Sequence, residues 1–471
     1  MTNSSKYEIV IGLEVHAQLR TRSKMFCSCP TTFGDEPNTN ICPVCSGQPG
    51  ALPTINKFAV ELAVRAGLAL GCKIHNTSQF ARKNYFYPDL TKGYQITQFE
   101  RPICTDGKLG NIRVSRIQIE EDAGKSLHDQ QGGGGSLIDY NRCSVPLIEI
   151  ISGPDIRTPE EAGEYLKSLR SILQYLEVCE GNMQEGNFRC DANISLRPKV
   201  QKELGTRTET KNLNSFKAVE SVLKYETGRQ TEVLNRGKKV IQQTLLWNDT
   251  TGKTSPMRGK EEAHDYRYFP EPDLIPLIVE DAWVEKIKDN LPELPDAKAK
   301  RFHDQYDIPE YDAGVLTAQK SLADYYEKAI TAYNEPKKIS NWIMTELLRE
   351  LKESDTEIEK CLIRPEQISS LVRIIDEGKI SGKIGKDIFG EMYKTGHNPE
   401  KIIESKGLKQ ISSSDELEKI ADEIIANNPK QVEQYKSGKE ALLGYFVGQM
   451  MKQTKGQANP NLANEIFKKK L

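Results

Sequence analysis

The chain has 471 residues, 28% of them charged and 37% hydrophobic, and its net charge is −2. That length predicts roughly two to four domains with ample core. The balanced charge excludes a global basic field for nucleic acid, and no apolar run is long enough to span a bilayer.

The first residues, MTNSSK, show neither signal nor transit character, so a cytoplasmic setting is expected. Ten cysteines in such a chain read as metal ligands or buried thiols rather than disulfides. Tyr7 to Gln18 (YEIVIGLEVHAQ) alternates with a period of two, which predicts a strand. Ile9, Ile11, Leu13 and Val15 share one face; Gly12, Glu14 and His16 share the other. Neighbours on one strand face stand about 7 Å apart, so Glu14 and His16 can reach one ion between them.

Cys27-Ser28-Cys29 and Cys42-Pro43-Val44-Cys45 follow, twelve residues apart. Two tight thiol pairs joined by a polar loop suit a structural, tetrahedral Zn²⁺ site. A helix is expected from Asn56 to Leu70, stopped at Gly71. ARKNYFYPDLTKGYQITQ (Ala81 to Gln98) then interleaves Arg82 and Lys83 with Tyr85, Phe86 and Tyr87. This mix suits base stacking and phosphate binding, and equally suits a packed core.

Ile112 to Asp122 alternates again, with Arg116, Gln118 and Glu120 on one face, and ends in Glu120-Glu121-Asp122. Neither Gly124-Lys125-Ser126 nor Gly252-Lys253-Thr254 has the upstream glycine of a phosphate loop. In PLIEII (Pro146 to Ile151) a carboxylate, Glu149, interrupts an apolar strand and needs a cationic partner. Thr158-Pro159-Glu160-Glu161 predicts a capping box and a helix whose stripe is Ala162, Leu166, Leu169, Leu173 and Leu176.

Arg189 to Arg197 (RCDANISLR) alternates most sharply. Arg189, Asp191, Asn193, Ser195 and Arg197 on one face read as the floor of an anionic-ligand site, or as an exposed antiparallel face. Arg207, Glu209 and Lys211 repeat the pattern, and HDYRYFPEPD adds a charged, aromatic cluster. After Pro292 and Pro295 the periods become helical, as in Ile368, Leu371, Val372 and Ile375. From Lys430 onward eight Lys face three Glu, a local +5 that fits either a solvated helical face or an RNA contact. Separated carboxylates with cations beside them are the requirements of phosphoryl transfer without a P-loop, which favours an ATP-using ligase or kinase.

The segments GLEVHAQL, FCSCP, CPVCSGQPGALP, RKNYFYPDLTKGYQITQ, EEDAGKS, LIDYNR, PLIEI, GNMQEGNFRCDANISLRP, ETKNLNSFK, DYRYFPEPDL and KGQANP together resemble the B-subunit family of tRNA-dependent amidotransferases. The archaeal E-type subunit is similar in its N-terminal part. The resemblance implies an α+β fold: a glutamine-synthetase-like antiparallel-sheet cradle at 1–293 with a zinc loop at 27–45, an all-α domain at 294–405, and a small helical tail domain at 406–471 that contacts tRNA.

It further implies ATP- and Mg²⁺-dependent phosphorylation of Glu-tRNA(Gln) or Asp-tRNA(Asn) within a heterotrimer. Ammonia would be channelled from an amidase-type A subunit, with a small C subunit completing the assembly. Glu14, His16, one of Glu120 and Glu121, and Glu149 would surround Mg²⁺. Arg82, Lys83, Tyr85, Arg189, Asp191, Asn193, Arg197, Glu209 and Lys211 are the expected ATP or substrate contacts. Cys27, Cys29, Cys42 and Cys45 are the expected Zn²⁺ ligands, and Lys452 and Lys455 the tRNA contacts. A zinc-containing, non-catalytic tRNA-binding scaffold is the competing expectation.

Overall fold

The structure, a computed structural model, describes residues 6–128, 136–259, 263–407, 414–454, 458 and 460–471. It divides into two compact units, Met1–Leu294 and Pro295–Leu471.

The first unit is built on β1 (Tyr7–Gln18), which lies at the centre of a nine-stranded sheet. In chain order the other strands are β2 (Lys73–Ile74), β3 (Cys104–Leu109), β4 (Ile112–Glu121), β5 (Pro146–Ser152), β6 (Phe188–Pro198), β7 (Thr208–Leu213), β8 (Gln243–Asn248) and β9 (Lys253–Gly259). The spatial order is β9-β8-β7-β6-β1-β5-β4-β3-β2. Every pairing is antiparallel except β7 with β8.

Alternation decides which sheet face is covered. Ile11, Leu13, Val15 and Ala17 of β1 join Ile117 and Ile119 of β4, Ile148 and Ile150 of β5, and Cys190, Ala192 and Ile194 of β6 in one core. Helices α1 (Lys57–Ala69), α2 (Pro159–Tyr175) and α3 (Phe216–Asn235) contribute their apolar stripes to that same core. Each fully buried Leu, Ile or Val is worth about 1.5–3 kcal/mol. A one-residue register slip would turn these side chains to the opposite face, so the core fixes what that opposite face presents.

Local signals set the helix ends. Asn56 accepts from the Phe58 and Ala59 amides at the start of α1, and Gly71 beyond its end sits at φ 63°. Thr158 and Glu161 form the capping box of α2, with Pro159 in its first turn.

The named elements of the second unit are all helices among its described residues. One core gathers residues between Phe302 and Ile403, and another gathers residues between Leu417 and Phe467. The helix Pro365–Asp376 buries Ile368, Leu371 and Val372, with Ile375 packed at the edge and Gly378 at φ 69° behind it. The chain is thus of mixed α+β class, a large mixed sheet followed by helices. Among the described residues no helix is long and apolar enough to cross a membrane.

Candidate functional site

The sheet face opposite the core carries the polar residues in cross-strand rows. Gln118, Glu149, His16 and Arg189 form the first row, through the pairings Gln118–Glu149, Glu149–His16 and His16–Arg189. Arg116, Ile151, Glu14 and Asp191 form the second. Gly12, Asn193, Glu209 and Thr244 form the third.

A cavity of about 490 Å³ stands over the first two rows and runs onto the third. Lys83, from the strand Phe80–Asn84, and Phe99, Tyr266 and Tyr268 wall it. Phe99 and Tyr268 stack with centroids 4.1 Å apart, and Lys83 Nζ lies 4.9 Å from the Tyr266 ring centroid.

Two acidic triads lie in this region, each with its ligand atoms within 4.8 Å of one another: His16, Glu120 and Glu149, and Glu14, Asp191 and Glu209. His16 Nε2 is 3.4 Å from Glu149 Oε1. Gln118 Nε2 donates to Glu120 at 2.8 Å and also to Glu149. Asn193 Nδ2 donates to Glu14 at 3.0 Å, and Lys211 Nζ lies 2.5 Å from Asp191 and 3.7 Å from Glu209.

Crowding is written into the protonation of these groups. Burial, then the charge of Glu149, raises the Glu14 carboxyl above its ordinary range, and the same two causes raise Glu120. Burial is the largest single influence on Glu149 and pushes its carboxyl up, but its bond to His16 and the charges of His16, Lys83 and Arg116 together pull it down to about 2. Burial disfavours the His16 cation, yet the bond to Glu149 leaves the imidazole raised. Lys83 is likewise raised despite its burial, by Glu120 and by nearby Tyr268 and Glu149.

Carboxylates that repel one another in a closed space fit a divalent cation, which would remove that repulsion. The all-oxygen set Glu14, Asp191 and Glu209 is the harder donor set and matches Mg²⁺. The imidazole of the other set widens the cations it can accept. Loading that set requires a neutral His16, and because its pKa is raised, binding expels a proton wherever the imidazole is charged. Calorimetric titration of divalent cation in buffers of different ionisation enthalpy should show proton release that grows as pH falls toward 6; equal heats in all buffers would contradict it.

Several expected residues lie elsewhere, for reasons of strand geometry. Glu14, His16 and Glu149 of the expected Mg²⁺ set line one cavity, but the ligand atoms fall into two triads, because Glu14 stands one row further along β1, opposite Asp191. Glu121 points away from Glu120 and is held by Lys92 at 2.6 Å, the Ile96 amide at 2.9 Å and Ser144 at 2.7 Å. Arg82 is the opposite-facing neighbour of Lys83. It grips Glu271 with two bonds of 2.7 Å and stacks on Tyr94 at 4.2 Å. Tyr85 lies behind Tyr266, 6.0 Å between centroids, rather than on the cavity wall.

Arg189 ends the first row but is bound to Asp122 at 2.9 Å, and Arg189 and Arg142 help hold Asp122 at about 2 against its burial. Arg197 shares the face of Asp191 but lies about 20 Å further along β6, where it binds Glu8 at 2.6 Å. Lys452 ends the helix Leu442–Gln453 and is exposed; Lys455 lies outside the described residues. Sequence patterns did not single out Phe99, Gln242 or Thr244 as lining the cavity. The alternation of Tyr266 and Tyr268 within DYRYFPEPD was the available signal for that wall.

The four thiols of Cys27, Cys29, Cys42 and Cys45 also converge, all Sγ atoms within 4.8 Å of one another and Cys42 to Cys45 at 3.9 Å. A tetrahedral Zn²⁺ with Zn–S near 2.3 Å sets the sulfur–sulfur edge at about 3.8 Å. Hydrogen bonding from Cys27 lowers the Cys45 thiol to about 4, against burial and with help from Lys24, whose Nζ is 3.6 Å away. The donor set therefore fits zinc. The loop between the pairs is largely exposed, so the metal would supply the order that a core supplies elsewhere. Removing it with a chelator should open residues 30–41 to limited proteolysis and lower the melting temperature by several degrees. An unchanged digest would contradict a zinc-held loop.

Residues 9–285 match the family model described as the GatB/GatE catalytic domain, and residues 324–471 match the one described as the GatB domain. The chain belongs to the GatB family. The B subunit of the aspartyl/glutamyl-tRNA(Asn/Gln) amidotransferase of Thermoanaerobacter pseudethanolicus is 56% identical over 474 residues, covering 99% of each chain. The protein of the same name from Thermodesulfovibrio yellowstonii is 53% identical over 470 residues, covering 98% of each. The one from Geotalea uraniireducens is 54% identical over 476 residues, covering 99% of each. The GatB/GatE match spans the whole cavity and the zinc loop, so both sites belong to the part of the chain that carries the family's catalytic description.

Proposed function

We propose that this chain is the B subunit of a tRNA-dependent amidotransferase, a ligase that spends ATP to convert Glu on tRNA(Gln), or Asp on tRNA(Asn), into its amide. The observation that carries the reading is the pair of partly buried acidic triads on one sheet face, flanked by Lys83, Arg116, Arg207 and Lys211. Near-full-length similarity to proteins that bear this name supports it.

A carboxylate is a poor electrophile because its charge repels the nucleophile and oxide is a poor leaving group. Phosphorylation removes both obstacles. An oxygen of the aminoacyl side chain attacks the γ-phosphorus, the bond to the bridging oxygen breaks, and ADP leaves. Ammonia then adds to the acyl carbon, phosphate departs with the C–O electron pair, and the nitrogen sheds a proton to give the amide.

Bound divalent cations at the two triads, with Mg²⁺ the natural occupant, would neutralise charge on the phosphates. Lys83, Arg207 and Lys211 hold the remaining anionic oxygens, and Phe99, Tyr266 and Tyr268 exclude water that would hydrolyse the mixed anhydride. Among the described residues, the cavity lining contains carboxylates, cations and aromatics but no Cys or Ser. This supports a separate glutamine-hydrolysing partner, the amidase-type A subunit, in a trimer with the small C subunit.

A helix-backed sheet with one open acidic face supports the glutamine-synthetase-like cradle at 1–293. The two helical cores support separate domains at 294–405 and 406–471, the latter meeting tRNA with Lys452 and Lys455 in the cytoplasm. Zinc at the four cysteines is structural in this scheme. The purified trimer, given ATP, glutamine and each misacylated tRNA, should form the amide on at least one of them. Absence of both amide and ADP would refute the proposal.

A further inference from the structure

Among the described residues, the two carboxylates of the His16, Glu120 and Glu149 triad have one donor in common. Gln118 stands opposite Glu149 in the pairing of β4 with β5, and two residues before Glu120 on β4 itself. Its Nε2 donates to Glu120 Oε1 at 2.8 Å and also to Glu149 Oε2. The other partners are not shared. Thr97 at 2.5 Å and Gln95 at 3.2 Å donate to Glu120, whereas His16 lies 3.4 Å from Glu149.

An amide fits this place because it is neutral. A lysine or arginine would bridge the two carboxylates as well, but its charge would cancel the one that attracts a cation. A third carboxylate would add repulsion and donate nothing. The amide uses both N–H bonds to set the spacing of two anions and leaves their charge intact.

A second observation points into the cavity. Gln118 is 5% exposed and lines the cavity, yet its Oε1 is buried without a partner. Chemistry fixes the orientation, since the amide turned over would set its oxygen against two carboxylate oxygens. A buried acceptor left unpaired costs about 1–3 kcal/mol. A ligand that brings an O–H or N–H to it relieves that cost, and water carried by a divalent cation is the smallest such donor.

We propose that Gln118 is a positioning residue for the phosphorylation step. Its Nε2 sets the spacing of Glu120 and Glu149 that receives a divalent cation, and its Oε1 accepts a hydrogen bond from a molecule that enters with that cation. The inference rests on the ligase reading above for the step it serves, while the cation-holding role stands without it.

The test is Gln118→Met in the intact, zinc-loaded trimer, which keeps the length of the side chain and removes both polar ends. Mn²⁺ binding is followed by electron paramagnetic resonance with neither ATP nor tRNA present. Losing the hydrogen-bond partner behind a metal ligand typically weakens a site by about 10–100-fold, so the Kd at Glu120 and Glu149 should rise at least tenfold. The ion at Glu14, Asp191 and Glu209 should stay within twofold of wild type, which a general loss of structure would not permit. ADP formation should fall at least tenfold at limiting Mg²⁺ and recover in part as Mg²⁺ is raised. Wild-type affinity at the first triad, or equal weakening of both ions, would overturn the positioning role.

Should Gln118→Met fail to assemble, a structure of the wild-type trimer loaded with Mn²⁺ decides. Nε2 still bridging both carboxylates, with Oε1 bonded to a water or ligand atom, supports the role. An amide turned away from either carboxylate, or an Oε1 still without a partner, overturns it. Weakened Mn²⁺ binding by Gln118→Met, beside a wild type that forms neither ADP nor amide, would overturn the ligase reading and leave the cation-holding role standing.

Discussion

A trimer carrying Glu149→Gln should lose ATP-dependent phosphorylation of misacylated tRNA by about 10²–10³-fold, while glutamine hydrolysis by its amidase partner is unchanged. Glutamine keeps the size of the side chain and removes only its charge. That charge is central to the first row: it pairs with His16, accepts from Gln118 and adds to the field that keeps Lys83 protonated. Without it the triad drops from two carboxylates and an imidazole to one carboxylate and an imidazole, too few charges to hold a divalent cation against competing phosphate. The same loss is expected for Asp191→Asn in the second triad. ADP formation from ATP in the presence of misacylated tRNA is the readout, and wild-type ADP formation by either variant would refute the assignment.

Arg82→Met should destabilise the first unit by about 3–5 kcal/mol, with little change in KM for ATP or tRNA in the fraction that remains folded. Arg82 forms two bonds of 2.7 Å to Glu271, whose side chain is 1% exposed. Methionine refills the stem volume but leaves a buried carboxylate with its main partner gone, and such a charge is costlier than the ion pair was beneficial. Urea unfolding measures the first quantity and steady-state kinetics the second. A variant of wild-type stability with a strongly raised KM would return Arg82 to the ligand site.

These two residues mark where the sequence was informative and where it was not. Glu149 was conspicuous because a carboxylate inside PLIEII must have a partner, whatever the fold. The alternation of YEIVIGLEVHAQ puts His16 on the polar face of its own strand, but that His16 stands against Glu149 follows from strand pairing and was implied only by the family resemblance. Arg82 and Lys83 could not be separated, nor could Glu120 and Glu121. Adjacent residues of a strand face opposite ways, but when both are charged the local pattern does not say which way the cavity lies. Arg197 failed for another reason: sharing a face with Asp191 says nothing of the distance along β6 or of Glu8 waiting opposite. The split into two triads depends on inter-strand register, which sets Glu14 against Asp191 and His16 against Glu149, and register is a long-range property. The four cysteines needed no such information, since their spacing alone brings each pair into one turn.

The most direct measurement of the central claim is the number of Mn²⁺ ions bound per chain, counted by electron paramagnetic resonance in the zinc-loaded trimer. Two separable sites are expected, one abolished by Glu149→Gln and the other by Asp191→Asn, each substitution leaving its neighbour occupied. A single ion lost in both variants, or no tight ion at all, would contradict a centre built from two acidic triads.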